Sequence, residues 1–135
     1  MLEVRIVNRK PIGLPDVSAL RDRHLLHMIE IKKTGLAKNI GMSTYSPEGT
    51  LAASGFSDVI MATFNLEDSS NLEAIKKAHK KGCGILLKKV FSSGKCHIKE
   101  SLEFVFKHEE IHSAVIGTIN KTHLIENVNL VSKLS

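Results

Sequence analysis

The sequence predicts an α/β fold in which strands and helices alternate along the chain and form one parallel sheet. Short apolar runs rich in β-branched residues alternate with longer stretches whose apolar residues recur at helical spacing. Such alternation favours parallel strands joined by right-handed helical crossovers. The 135 residues, of which 42% are hydrophobic and 24% are charged, include no linker or low-complexity segment. We therefore expect residues 1–135 to form a single domain.

The first half of the chain contains three strands and two helices. Residues 3–7 alternate weakly and run into a loop rich in Pro and Gly, which is typical of a strand end. Asp16 or Ser18 can cap the next helix, and Gly35 follows its last lysines as a helix stop. Two further strands and the short helix between them are then predicted at residues 38–42, 58–64 and 48–53.

The next two strand–helix boundaries are marked by polar caps and glycine. Asn71 is predicted to cap a helix over residues 72–81, and Gly82 ends it. The apolar run that begins at residue 85 predicts a fourth strand over residues 85–91. Apolar residues at helical spacing then predict a fourth helix over residues 98–106.

The last strand–helix unit, residues 113–128, is the best candidate ligand-binding stretch. Residues 114–116 are too few for a helix and predict a buried strand, after which Gly117 lets the backbone turn. Asn120 is a good cap for a helix that begins near Lys121. The first amides of that helix have no intrahelical partners and lie at the positive end of its dipole. The turn is therefore a plausible anion cradle, as is the turn of any such unit.

Net charge and composition argue against a nucleic-acid-binding protein. The formal net charge is +5, but the chain has no tryptophan and few aromatic residues to stack on bases. Its densest lysine cluster lies on the helix face opposite the apolar residues, which is typical of a solvated surface. The cluster consists of Lys76, Lys77, Lys80 and Lys81.

The sequence does not predict a membrane span, a disulfide bond or a metal site either. No apolar run is long enough to cross a bilayer, and the N-terminus lacks the plan of a signal peptide, so we expect a cytoplasmic protein. Cys83 and Cys96 lack metal-ligand spacing and are expected to be free thiols. The histidines show no paired metal spacing with a third ligand. Glu109 and Glu110 are interpreted as a solvated helix end.

Polar residues follow four of the five predicted strands, at the edge where parallel sheets bind ligands. These exits are residues 43–46, Asn65, residues 92–94 and residues 117–120. Ser43, Thr44 and Asn65 could equally be no more than caps and turn residues.

Four segments, in matching order and spacing, resemble the C-terminal part of the aldo-keto reductases. They are residues 40–46 (IGMSTYS), 58–65 (DVIMATFN), 74–82 (AIKKAHKKG) and 115–128 (VIGTINKTHLIENV). The resemblance covers nearly the whole chain but only the last five of the family's eight βα units. It implies a truncated, partial (β/α)8 TIM barrel and an oxidoreductase that uses NADP(H) or NAD(H).

The resemblance also implies that catalytic residues are missing. The family's catalytic aspartate, tyrosine and lysine come from early strands that have no counterpart in this sequence. Its catalytic histidine would end the strand over residues 3–8, where this chain has Val7 or Asn8. We therefore assign no catalytic residue, and we expect the chain alone to lack the proton donor for carbonyl reduction.

Part of the cofactor site is matched. The resemblance implies that Ser43 and Thr44 lie near the nicotinamide, although Thr44 replaces an asparagine, Met61 a glutamine and Lys88 an aromatic residue. The pyrophosphate loop corresponds to Phe91, Ser92 and Gly94. The adenosine-phosphate end corresponds to Gly117, Thr118, Asn120, His123, Glu126 and Asn127. His123 replaces an arginine that often grips the 2′-phosphate, so the choice between NADP and NAD stays open.

Two alternatives to a cofactor-binding reductase stay open. Five strands cannot close the family's barrel, so the end strands and the barrel-lining face would be open to solvent. Such a surface favours a non-catalytic oligomerising or scaffold protein, either a homo-oligomer or one bound to a complementing chain. The second alternative is an open, doubly wound sheet of the flavodoxin-like kind, which strand order distinguishes from a partial barrel.

Overall fold

The computed structural model describes residues 4–7, 17–92, 94 and 97–134, in which five strands alternate with five helices. The elements are Val4–Val7 (β1), Val17–Lys33 (α1), Asn39–Ser43 (β2), Pro47–Ala53 (α2), Val59–Thr63 (β3), Leu72–Lys80 (α3), Gly84–Lys88 (β4), Ile98–Phe106 (α4), Ser113–Ala114 (β5) and Lys121–Val131 (α5). The predicted alternation of strand and helix is confirmed.

All five strands are parallel and lie in the order β1-β2-β3-β4-β5. Each strand therefore pairs with the next one in sequence, as in a (β/α)8 barrel, where every crossover advances in the same direction. A doubly wound sheet reverses direction at a switch point, so its strands do not follow sequence order. The flavodoxin-like alternative is wrong, and the partial barrel is confirmed.

The hydrophobic core lies between the sheet and the helices. Ile60, Ile85 and Leu87 are fully buried there, packed in one cluster with Ile75 of α3 and Leu102 of α4. Fully burying such side chains stabilises the fold by about 1.5–3 kcal/mol each. Since side chains alternate along a strand, the residues between the core positions lie on the opposite side of the sheet.

That opposite side is the surface that lines the interior in a closed barrel, and we call it the open face. Met61 stands between the core residues Ile60 and Ala62 and is therefore on the open face. Strand register then assigns its neighbours to the same face. The open face of β2–β4 thus carries Ser43, Val59, Met61, Thr63, Leu86 and Lys88.

Most of the predicted helix stops and helix caps are found in the structure. Gly35 and Gly82 have φ of +77° and +88°, the left-handed region that lets a helix end. Asn120 accepts a hydrogen bond from the amide of Thr122 at 2.9 Å, as predicted for a cap. Ser18 is already inside α1 and so is not its cap, while Asp16 lies outside the described residues.

Asn71 occupies the N-cap position of α3, but its side chain makes no capping hydrogen bond. The predicted position of the cap is therefore correct, but the predicted capping hydrogen bond is wrong. The side chain is completely buried and donates instead to the carbonyl oxygens of Tyr45 at 2.8 Å and Thr63 at 3.0 Å. Thr63 ends β3 and Tyr45 lies two residues after β2, so the side chain of Asn71 joins the exits of these two strands.

The last two strands are shorter than predicted. β4 stops at Lys88 because Lys89 has a φ of +56°, which turns the chain out of the sheet. β5 comprises Ser113–Ala114, shifted and shortened from residues 114–116, although the amide of Val115 still donates to Leu87 at 2.8 Å. Gly117 is not in the left-handed region, so the turn there does not depend on a conformation reserved for glycine.

Cys83 is a buried free thiol, as expected. Its sulfur lies 3.1 Å from the carbonyl oxygen of Ser57, and burial raises the pKa of the thiol. Cys96 lies outside the described residues. Within the described ranges, no group of three or more His, Cys, Asp or Glu side chains is placed to hold a metal ion. Nor does any helix there combine the length and the apolar character needed to span a membrane.

Candidate functional site

The candidate site lies at the carboxyl ends of β2 to β5, where the loops that follow these four strands lie side by side. The side chain of Asn65 connects the exits of β3 and β4. It is 4% exposed, its Oδ1 accepts from the amides of Glu67 and Asp68 at 3.0 and 2.9 Å, and its Nδ2 donates to the carbonyl oxygen of Lys89 at 3.0 Å. The hydroxyl of Ser92 also donates to Oδ1, at 2.9 Å.

These bonds hold the loop after β4 in an uncommon backbone conformation. Lys89 and Ser92 have φ of +56° and +46°, and Gly94 has +89°. Left-handed backbone costs a residue other than glycine about 1–2 kcal/mol, so the bonds to Asn65 offset a real penalty. Asn65 is thus a site residue that the resemblance did not assign.

Replacing Asn65 with alanine is expected to lower the free energy of unfolding by about 2–3 kcal/mol, because the carbonyl of Lys89 and the amides of Glu67 and Asp68 lose their partner. Chemical denaturation followed by circular dichroism measures this change. Asn129 on α5 is exposed, and its replacement with alanine is the matched control, expected to stay within about 0.5 kcal/mol. Equal effects of the two substitutions would contradict a structural role for Asn65.

A groove separates the loop after β4 from the end of β5. It has a volume of about 390 Å³ and is lined by Lys89, Val90, Phe91, Gly94, Val115, Ile116 and Gly117. Three of the predicted cofactor residues, Phe91, Gly94 and Gly117, therefore lie together. A Cβ atom built on Gly117 would meet nothing within 4 Å, so the groove is open at that point.

The beginning of α5 is organised by its own side chains. The Thr118 hydroxyl accepts from the amide of Asn120 at 3.1 Å, and Asn120 in turn caps Thr122. His123 and Glu126 are exposed. Asn127 is 5% exposed and lines a separate cavity of about 340 Å³ between α4, α5 and β5. Residues predicted for the adenosine end are therefore divided between the open start of α5 and an apolar cavity.

Ser43 and Thr44 lie apart from that groove, at the end of β2. The hydroxyl of Thr44 is buried and lies 2.8 Å from that of Thr50, which donates to Asn71 Oδ1 at 3.0 Å. Thr44 is thus part of the buried network that joins β2, β3 and two helices. Ser43 is on the open face, where its Oγ accepts from Lys88 Nζ at 2.8 Å.

Lys88 therefore reaches across the intervening strand β3 to contact β2. Its Nζ also lies 3.4 Å from the centroid of the Tyr45 ring, and the Nζ of Lys89 lies 5.1 Å from the same centroid. Burial and then the charge of Lys89 lower the pKa of Lys88. We call Lys88, Lys89, Tyr45 and Ser43 the Lys88 cluster. Its sequence signal is the pair of lysines that directly follows the apolar run of residues 85–87.

Comparison with known proteins identifies the family. No protein-family model matches the sequence, and no curated protein does either. Two solved structures that are similar to the chain are both described as a "putative aldo-keto reductase" from "Pseudomona aeruginosa". Each is 34% identical to this chain, superposes with a TM-score of 0.72 and covers 78% of it.

The match extends over less than half of each relative, since the chain spans 41% and 40% of their lengths. This share agrees with a partial barrel, and the order of the five strands is the order expected for consecutive barrel units. Sequence identity and topology lead to the same conclusion: the chain belongs to the aldo-keto reductase family.

Proposed function

We propose that the groove between the loop after β4 and the end of β5 holds the phosphate-bearing part of a nicotinamide dinucleotide, NADPH or NADH. The observation that carries the proposal is the convergence of Phe91, Gly94 and Gly117 on one groove. Phe91 and Gly94 belong to the loop after β4, whereas Gly117 follows β5. The family resemblance relates both segments to the same ligand.

The shape and charge of the groove suit this ligand. Its volume of about 390 Å³ is at the small end for ligand sites, which suits part of a dinucleotide rather than all of it. Gly117 leaves space for close approach to the backbone, and Lys89 forms part of the wall of the groove. The nearby start of α5 adds the positive end of a helix dipole.

The cofactor, when bound, supplies a hydride for carbonyl reduction. The residues of this chain would bind and orient it. The family's catalytic aspartate, tyrosine and lysine have no counterpart in this sequence, and Val7 or Asn8 stands where its histidine would be. We therefore propose that the chain alone binds the cofactor without turnover. Titration of NADPH and of NADH, followed by cofactor fluorescence, tests binding. Cofactor oxidation that depends on an added carbonyl compound tests turnover, and its appearance would overturn the proposed inactivity.

Replacing Gly117 with tryptophan is expected to weaken NADPH binding by about tenfold or more, because the indole would fill the groove. The fold should be retained, since a Cβ at this position meets no atom within 4 Å and the backbone is not left-handed. Fluorescence titration measures the affinity, and thermal unfolding checks the fold.

A matched control is Leu36→Trp, because Leu36 is 81% exposed and precedes β2 at the opposite edge of the sheet. Unchanged affinity in the Gly117 variant would place the cofactor elsewhere. The absence of any saturable fluorescence change in the unmodified chain would overturn cofactor binding itself.

A second candidate function is self-association through β5, the last strand of the sheet. In the described part of the chain, β5 pairs with β4 alone, and apolar side chains are exposed beside it. They include Val115 (51% exposed), Ile119 (108%) and Val128 (55%). Exposed strand edges with adjacent apolar surface favour pairing with another chain. We propose a second copy of this chain as the partner.

We expect sedimentation at micromolar concentration to show a dimer. Lysine at both Val115 and Val128 should shift the species to the monomer, because two charges would be buried without partners. Lysine at two exposed apolar positions outside this surface, Leu26 and Leu36, is the control, because it adds the same two charges. A well-folded monomer from the unmodified chain would contradict this candidate.

A further inference from the structure

Two lysine amines, that of Lys88 on the open face and that of Lys89 directly after β4, lie beside one aromatic ring, and neither has a carboxylate partner among the described residues. Lys88 Nζ and Lys89 Nζ lie 3.4 and 5.1 Å from the centroid of the Tyr45 ring, so the two charges converge on one aromatic side chain. The ion pairs within the described residues join other lysines: Lys32 to Asp58, Lys76 to Glu73 and Lys99 to Glu103. The two amines therefore share a positive surface that an anionic group would complement.

Two hydroxyl groups belong to the same surface. The amine of Lys88 donates to Ser43 Oγ at 2.8 Å. Thr63 is the strand-register partner of Lys88 on the open face, and its residue is 7% exposed. The Oγ1 atom of Thr63 is buried and has no hydrogen-bond partner in the described part of the chain. An unpaired buried hydroxyl is costly and uncommon, so a ligand oxygen that reached it would relieve that cost.

We propose that Lys88 is a reactive amine that condenses with an aldehyde bearing an anionic group. Lys89 would hold the anion, and the hydroxyls of Ser43 and Thr63 would contact the carbonyl oxygen. The Nζ lone pair adds to the carbonyl carbon to give a carbinolamine. A proton passes from the nitrogen to the former carbonyl oxygen, and loss of water, whose oxygen is that of the carbonyl and whose two hydrogens are those of the neutral amine, then gives the imine. The condensation consumes no oxidant or reductant.

This reaction requires the neutral form of the amine. Burial, followed by the adjacent charge of Lys89, lowers the pKa of Lys88 and so increases its neutral fraction at a given pH. The face of the Tyr45 ring, 3.4 Å from Lys88 Nζ, attracts the cation and acts in the opposite direction. An exposed lysine such as Lys77 lacks this surrounding.

The test uses the full 135-residue chain and pyridoxal 5′-phosphate, a probe that combines an aldehyde with a phosphate. After incubation at neutral pH and reduction with borohydride, peptide mass spectrometry quantifies the label on each lysine. Lys88 should be labelled about tenfold more than Lys77 when the probe is limiting, because its neutral fraction is larger and the phosphate is held. Labelling spread evenly over the exposed lysines would overturn the proposal.

Variants separate the role of each group. Lys88→Arg keeps a cationic side chain but cannot form an imine, so it should lose the preferred label, whereas Lys77→Arg should keep it. Ser43→Ala and Thr63→Val should each slow labelling several-fold. Lys89→Met should reduce labelling by pyridoxal 5′-phosphate more than labelling by propionaldehyde, which has no anionic group. Preferred labelling that persists in Lys88→Arg would overturn the assignment, and equal effects of Lys89→Met on both probes would overturn the anion contact. None of these readouts involves a nicotinamide cofactor.

Discussion

Replacing Asn71 with leucine is expected to lower the free energy of unfolding by about 3–5 kcal/mol, because a buried hydrogen-bond network loses its central member. Asn71 is completely buried and bonds to the carbonyl oxygens of Tyr45 and Thr63 and to the hydroxyl of Thr50. Leucine has a similar size but no polar atoms, so the carbonyl oxygens of Tyr45 and Thr63 would lose this donor and Thr50 would keep only its bond to Thr44. Denaturant unfolding measures the loss.

A double-mutant cycle with Thr50→Val distinguishes a network from an effect of packing. Thr50 is also completely buried and links Asn71 to Thr44, so its loss removes part of the same network. We expect the two substitutions together to cost less than the sum of their separate costs, by about 0.5–3 kcal/mol. Strict additivity, or a loss below about 1 kcal/mol for Asn71→Leu, would contradict the network.

Replacing Phe64 with alanine is expected to cost about 3–5 kcal/mol, the usual range for removing a large aromatic side chain from a core. Phe64 directly follows β3 and is completely buried. Its ring stacks on Phe104 of α4, with centroids 5.2 Å apart, and meets the ring of His108 edge to face at 5.2 Å. The cavity would therefore open between the end of β3 and α4.

Thermal and denaturant unfolding measure the effect of Phe64→Ala. Leucine at this position keeps part of the volume and should cost less, so the series from Phe through Leu to Ala reports on the cavity. Leu36→Ala is the surface control, since Leu36 is 81% exposed and should change stability by no more than about 0.5 kcal/mol. A cost for Phe64→Ala close to that of the control would show that the residue is not part of the core.

Both substitutions concern the edge of the sheet that carries the candidate site. Phe64 precedes Asn65, which fixes the loop after β4, and Asn71 holds the ends of β2 and β3. The proposed groove and the Lys88 cluster lie on loops and strand ends supported by these two buried asparagines. A rigid scaffold that positions loops at the carboxyl ends of parallel strands is the usual location of ligand sites in such folds.

The sequence by itself determined the alternation of strands and helices, the single parallel sheet and the family resemblance. The resemblance follows from the order and spacing of four segments. The alternation follows from local patterns: the apolar runs around Ile60 and Ile85, the helix stops at Gly35 and Gly82, and the cap at Asn120. Each depends on residues within a few positions of one another, so hydrophobic period, backbone conformation and side-chain capping are sufficient to predict it.

The tertiary structure alone decided which polar residues work together. The contact between Lys88 and Ser43 joins residues 45 positions apart, and the bond from Asn71 to Tyr45 joins residues 26 apart. Asn71 has the local pattern of a helix cap, but its side-chain amide donates to carbonyl oxygens after β2 and at the end of β3. Because the side chain of Asn71 is buried, those hydrogen bonds stabilise the fold more than an exposed helix cap would. Gly94 and Gly117 form one groove for the same reason: strand order brings their loops together, and no local pattern contains that order.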